Sequence, residues 1–393
     1  MKDKSSLVFA ILLVSQFCGT SLWFAGNAIL PYLQSSNRWE PNSLGYLTSA
    51  VQLGFIAGTL LTSILGITDR FSPSKVFFFS SLIAAASNSI SLIDLSSFSI
   101  LLSSRFSTGF FLAGIYPVGM KIASDWSEKG LGLWLGALVG ALVLGTAFPQ
   151  VLRIEPELIN PTALTLIVSL LSVLGGILVL TIIKDGPFRK PAIRFSFGEV
   201  SRVYKNTSLR NAAFGYFGHM WELYAFWAFV PWLLHAVTQS PGTKLNTALW
   251  SSIIIGAGFI GCLMGGLLSR RFGSKTVALL SLIFSGTCCI LSPLIIELPM
   301  VLFLLILIIW GITVVADSPQ LSALVAQSAS PEIRGSAITL TTCVGFGITI
   351  GSIQLLNYLQ NIIPSNYLML LLMPGPVFGV VYLLKPINIS YSK

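Results

Sequence analysis

Polar and apolar positions in this chain are segregated into long blocks and do not alternate residue by residue. A membrane-crossing helix needs about 20 mainly apolar residues. Twelve stretches reach that length, at about 7–34, 43–67, 75–94, 98–124, 131–153, 161–184, 209–237, 246–270, 276–296, 299–328, 335–361 and 366–386. The run from Leu7 to Leu33 is too long for a signal-peptide core and lacks a cleavage site, so it reads as a first membrane helix that stays in place. The expected fold class is an all-α polytopic membrane protein, with the lipid bilayer as its solvent.

Composition supports this pattern. Of 393 residues, 54% are hydrophobic and 9% are charged, with a mean hydropathy of +0.83. Soluble domains carry about 25% charged residues, so this chain cannot clothe a globule with polar side chains. The five cysteines all fall in apolar stretches without metal-ligand spacing, and read as small buried residues. No metal and no cofactor is expected.

The net charge of +9 raises the question of a nucleic-acid partner, which the placement of the basic residues answers against. With the N-terminus in the cytoplasm, one side receives 19 of the 23 Lys and Arg residues, seven of them between Lys184 and Arg210. The other side receives only Arg38, Arg153 and Lys244, and Arg105 lies within a membrane segment. This positive-inside bias predicts a multi-pass protein of the cell membrane with both termini cytoplasmic. The dense basic loop lies mid-chain and predicts three parts: a six-helix bundle over 1–184, a cytoplasmic linker over 185–208 with interfacial helical character around Phe197–Tyr204, and a second bundle over 209–393.

The two halves repeat each other. Phe17, Pro31 and Leu33 match Phe217, Pro231 and Leu233 at an offset of 200, and Asp69-Arg70-Phe71 lies over Arg270-Arg271-Phe272 at 201. Gly109 and Pro117 match Gly311 and Pro319 at 202, and Lys129-Gly130 matches Arg334-Gly335 at 205. A slowly drifting offset through equivalent elements marks a parallel repeat, which places a substrate site where the halves meet.

In these features the chain resembles the major facilitator superfamily over its whole length, with two pseudo-symmetric six-helix bundles expected. The superfamily's loop 2–3 signature is similar to Gly266-Leu-Leu-Ser-Arg270-Arg271-Phe272-Gly273-Ser-Lys275, with Arg270 in place of the acid. The first half keeps Asp69-Arg70 and Lys75, with Gly66 one place late and Ser72-Pro73 where Gly-Arg is usual. Arg105-Phe-Ser-Thr-Gly109 resembles the helix 4 signature, whereas helix 5 lacks the proline of the antiporter signature. Tyr116-Pro-Val-Gly-Met-Lys121, Gly218-His-Met-Trp-Glu-Leu-Tyr224 and Ala316-Asp-Ser-Pro-Gln320 look like bacterial permeases of that superfamily. The resemblance implies a gating role for Asp69, Arg70, Arg270 and Arg271; plain positive-inside anchoring is the alternative. It also implies that helices 1, 4, 7 and 10 line a central cavity.

Ionised groups cost at least ~2.5–3.5 kcal/mol at the bilayer centre, so each needs a partner or a wet cavity. Away from helix ends, Arg105, His219, Glu222 and Asp317 remain, and all four lie on helices of the lining set. His219, Glu222 and Phe226 share one helical face; Asp317 shares another with Thr313 and Gln320. Tyr116 lies eleven residues beyond Arg105, about three turns on and on the same face. Trp23 and Asn27 stand one turn apart on helix 1. These nine lining residues (Trp23, Asn27, Arg105, Tyr116, Glu222, Phe226, Thr313, Asp317 and Gln320) suit a polar or amphipathic organic solute. Burial favours a carboxyl's neutral form and a nearby cation its charged form, so Glu222 is the first proton carrier expected, with Asp317 second and His219 third. Arg105 reads as counter-ion to an acid or as binder of a substrate carboxylate; a static ion-pair network is the structural alternative. The glycines of helices 5 and 11 read as close, sliding helix contacts.

The expected function is secondary active transport of a small solute by alternating access, coupled to protons, in a monomer. Proton-antiport efflux of amphipathic compounds and facilitated diffusion stay open, and a non-transporting receptor or a membrane-embedded enzyme is remote. No G-x-x-x-x-G-K-[ST] loop for ATP and no G-x-S-x-G elbow occurs.

Overall fold

The computed structural model describes residues 2–37, 39–40, 42–95, 97–127, 131–155, 157–189, 204–238, 245–330 and 333–387. Arg38, Lys129, Gly130, Lys244 and Lys393 lie outside the described residues, as does the interfacial helix expected around Phe197–Tyr204 except for its last residue. Among the described residues every regular element is helical. The first half contains α1 (Lys2–Thr20), α2 (Ala25–Asn37), α3 (Ser43–Ile64), the single turn α4 (Ile67–Arg70), α5 (Pro73–Ile90), α6 (Phe98–Leu112), α7 (Tyr116–Trp126), α8 (Leu131–Leu152) and α9 (Pro161–Ile182). The second contains α10 (Thr207–Thr238), α11 (Thr247–Gly256), α12 (Gly258–Phe272), α13 (Ser274–Ile295), α14 (Met300–Ala316), α15 (Ser318–Ser328), α16 (Arg334–Leu359), α17 (Ser365–Leu368) and α18 (Pro374–Leu384).

Among the described residues, eleven spans are long and apolar enough to cross a membrane. Five are interrupted by a turn: α1–α2, α6–α7, α11–α12, α14–α15 and α17–α18. The twelfth expected segment is α10, a 32-residue helix whose apolar character is diluted by His219, Glu222 and its Tyr and Trp residues.

The chain divides into two compact units, Met1–Pro191 with Asn246–Ser252, and Ala192–Leu245 with Ile253–Lys393. The changeover at Pro191 falls inside the expected linker 185–208. Each unit repeats the same helix pairings. In the first, the first span packs on α8 and α9, α3 packs on α6, and α5 packs on α6 and α9. In the second, α10 packs on α16 and α18, α12 on α14, and α13 on α14 and α18.

The closest approach in both units rests on glycine. A Cβ at Gly54, Gly58 or Gly109 would fall against the carbonyls of Phe106, Phe110 and Val51 respectively, so α3 and α6 touch backbone to backbone. In the second unit, Gly261 meets the Ile312 carbonyl and Gly311 the Ile254 carbonyl in the same way. These contacts widen the expectation that placed the tight glycines on helices 5 and 11. On helices 5 and 11 themselves, Gly145 meets the Phe17 carbonyl and Gly345 presses on Tyr216 and Met220, while a Cβ at Gly132 or Gly347 would meet open space.

The interruption Ser21–Phe24 in the first span is held from across its bundle by Arg105. Its Nη2 donates to the Leu22 and Trp23 carbonyls at 2.7 and 2.8 Å, and its Nη1 donates to Asn88 Oδ1 at 2.7 Å. Asn88 Nδ2 in turn donates to Ser169 Oγ at 3.0 Å, which ties α5 to α9. The Arg105 side chain is 1% exposed and lies over Gly26, where a Cβ would come within 2.9 Å of its Cδ. The planar fork of the guanidinium thus replaces the backbone partners that the broken helix lacks.

Two outcomes follow for the purified protein in detergent. Gly109→Ala should lower thermal stability by about 1–3 kcal/mol through overpacking, while Gly132→Ala leaves the melting temperature unchanged; equal effects would contradict the backbone contact. Arg105→Lys should not restore stability to wild type, because one ammonium cannot serve carbonyls and amide in that fork geometry, and a melting curve that matches wild type would refute the clamp.

Candidate functional site: two buried polar clusters in the second unit

Glu222 lies on α10 and is 1% exposed. Its Oε1 accepts from Trp310 Nε1 at 2.7 Å and from Cys289 Sγ at 3.3 Å, and its Oε2 accepts from Ser285 Oγ at 2.8 Å. Ser285 and Cys289 are one turn apart on α13 and present both donors on one face. Phe226, one turn beyond Glu222, packs against the Trp310 ring with centroids 4.7 Å apart. Glu222 and Phe226 are both enclosed among α13 and α14 of their own unit, and the carboxylate accepts from three donors.

His219, one turn before Glu222, turns to a different partner. Its Nδ1 lies 2.9 Å from Asp317 Oδ1, and both side chains are 1% exposed. Asp317 occupies the turn between α14 and α15, and Pro319 removes a backbone donor in the first turn that follows. Among the described residues His219 Nε2 has no hydrogen-bond partner, and the Asp317 carboxylate meets only the imidazole and the backbone N–H groups of Asp317 and Ser318. Histidine and carboxylate together can hold one proton in two ways, as an ion pair or as a neutral pair. This cluster is chemically unsaturated where the Glu222 cluster is not.

The remaining expected site residues are scattered. Trp23 packs on Phe55 with ring centroids 4.9 Å apart, and Asn27 Nδ2 donates to Thr48 Oγ1 at 2.8 Å, both within the first unit. Tyr116 opens α7 after the turn Ala113–Ile115, followed at once by Pro117, so no unbroken α-helix joins it to Arg105. Thr313 donates to the carbonyls of Ile309 and Trp310 on its own helix. Gln320 is buried at 4% exposure near Gly265. Among the described residues the partners of Arg105 are backbone carbonyls and the Asn88 amide, not an acid.

At the loops, Gly66 takes φ +59° before α4, and Gly273 takes φ +82° after α12. With Ser72-Pro73 in place of Gly, the first half places its positive-φ glycine six residues earlier, at Gly66. Asp69 and Arg70 lie in α4, whose carboxyl end is held by Arg189: its Nη2 donates to the Thr68, Asp69 and Phe71 carbonyls, and Arg189 pairs with Asp185. Arg270 is exposed, and Arg271 lies over the Phe272 ring at 5.3 Å.

Sequence reasoning passed over Asn88, Ser285, Cys289 and Trp310, yet a signal was present. Asn88 and Cys289 are related by an offset of 201, and Leu22 and Glu222 by 200, matching the repeat. Each unit therefore ties helix 1 or 7 to helices 3 or 9 and 4 or 10 at one place. In the first unit a buried cation does so, and in the second a buried acid.

A model of the Major Facilitator Superfamily matches residues 12–352. No curated protein matches this chain. A solved structure with the same fold is the nucleoside transporter NupG, determined as an aspartate-to-alanine mutant: TM-score 0.70, 17% sequence identity, covering 96% of this chain and 98% of that one. Among the described residues, eleven apolar spans and the long helix α10, arranged in two repeated units, agree with both matches. The chain belongs to the major facilitator superfamily and is a multi-pass membrane transporter.

Proposed function

We propose that this transporter moves a small polar or amphipathic organic solute by alternating access, and that proton movement through the His219–Asp317 pair drives it. The observation that carries this reading is the chemistry of the pair. Two ionisable groups are enclosed 2.9 Å apart with hydrogen-bonding capacity to spare. A proton that joins the carboxylate dissolves the ion pair and so changes the cost of hydrating or drying this part of the bundle. A state-dependent opening of the α14–α15 turn to water would then load or unload the proton.

Glu222 becomes the weaker candidate, because three donors hold its carboxyl group in one fixed geometry. The nucleoside specificity of NupG belongs to that protein; here the solute class rests on the aromatic and amide side chains of helices 1, 4, 7 and 10. In this reading the charged loops around Asp69–Arg70 and Arg270–Arg271 gate the alternation, and residues 1–184 and 209–393 are the rocking bundles.

In proteoliposomes with an imposed pH gradient, Asp317→Asn should abolish uphill accumulation of a transported solute. Exchange at equal solute concentrations should stay within about twofold of wild type. Unimpaired accumulation by Asp317→Asn would remove the pair from the coupling role. Glu222→Gln should retain uphill accumulation but lose about 1–3 kcal/mol of stability by mismatching buried donors; loss of accumulation in a protein of wild-type stability would restore Glu222 as carrier.

A further inference from the structure

Beyond the transport site, the first unit has a cavity of about 320 Å³ on its outer surface, at the foot of α5. One wall is the α4 turn, with Ile67 and Phe71. The other is a strip of α5 on which Lys75, Phe79 and Ile83 recur every fourth residue, with Val76 and Ser80 beside them. Eight residues of helix make this groove roughly 12 Å long at 1.5 Å per residue. Phe71, Phe79 and Ile83 are 58%, 55% and 40% exposed, so the groove is open along its length.

Its two ends differ in chemistry. From Val76 to Ile83 the lining is apolar apart from the Ser80 hydroxyl. At the loop end Lys75 is exposed, with no hydrogen bond or ion pair among the described residues, and Arg70, the chain neighbour of the lining residue Phe71, is exposed as well. The nearby acids do not cancel this charge. Asp185 is neutralised by Arg189, and Asp69 sets one negative charge against the two cations Arg70 and Lys75. The corresponding lysine of the second unit, Lys275, is instead occupied by the Lys385 carbonyl at 2.9 Å.

We propose that this groove is a binding site for one anionic phospholipid, whose phosphate sits between Lys75 and Arg70 and whose acyl chain lies along Val76, Phe79 and Ile83. The order of the two ends is that of a lipid in the leaflet on the side where positive-inside bias puts these cations. The anionic leaflet is attracted to such a site by about fivefold in affinity per basic residue near the surface. A zwitterionic lipid can fill the apolar channel, but it brings its own cation to a position already crowded with two.

The test is native mass spectrometry of the full-length protein, loaded in detergent with phosphatidylglycerol or phosphatidylcholine of identical chains. Wild type should retain one phosphatidylglycerol several-fold better than phosphatidylcholine, and Lys75→Gln should reduce that preference by about fivefold. Ile83→Trp, which narrows the groove and keeps both cations, should reduce retention of both lipids. Arg271→Gln, an exposed cation on the other unit's loop, should leave the preference intact. Equal retention of the two lipids by wild type, an unchanged preference in Lys75→Gln, or an equal loss in Arg271→Gln would overturn the site. Should Ile83→Trp fail to fold, the two charge variants decide.

Discussion

A charge enclosed in a helical bundle that faces lipid has no water to fall back on, and this constraint organises both units. Each buried ionisable group must find its partners among side chains and backbone of the surrounding helices. Arg105 meets the requirement with the carbonyls of a broken helix, so the same arginine that needs acceptors also allows the first span to be interrupted. Glu222 meets it with an indole, a thiol and a hydroxyl. His219 and Asp317 meet it mainly through each other, and a buried pair that shares one contact is a candidate for change.

The two units use one plan with opposite signs. In the first, a cation on the fourth segment reaches back to the first segment and sideways to the third. In the second, an acid on the seventh reaches to the ninth and tenth. Repeated backbone pairings, with glycine at the α3–α6 and α12–α14 crossings, leave the scaffold equivalent while the polar chemistry diverges. Such divergence lets a pseudo-symmetric frame divide its labour unequally. One bundle is locked by its arginine, and the other holds the titratable groups.

Segment count, repeat and family were legible in the sequence, because lipid demands long apolar runs and the repeat leaves matched Gly, Pro and basic positions. The identity of the four intramembrane ionisable residues was legible for the same reason: each is costly enough to stand out. Their partners were not. Helical periodicity tells which residues share a face of one helix, but not which neighbouring helix that face meets. So Glu222 could be assigned to a helix of the lining set while its carboxylate points at α13. Register is also not carried across a break: the turn at Ala113–Ile115 divides the helix between Arg105 and Tyr116. Glycines mislead in a similar way, since a run of small residues marks a possible close approach without saying whether another backbone takes it.

The uninterrupted α10 has a consequence of its own. At 1.5 Å per residue its 32 residues span roughly 48 Å, against a hydrocarbon core of about 30 Å. A helix with that excess must lean strongly or carry a turn or more beyond the oily layer at each end. Arg210 near its beginning and His235 near its end are suited to those wetter zones, and Pro231 lies within its last turns. Because no turn divides it before Pro231, a tilt imposed at its beginning is carried along the helix as far as that proline. The element that bears His219 and Glu222 thereby also acts as a lever within the second unit.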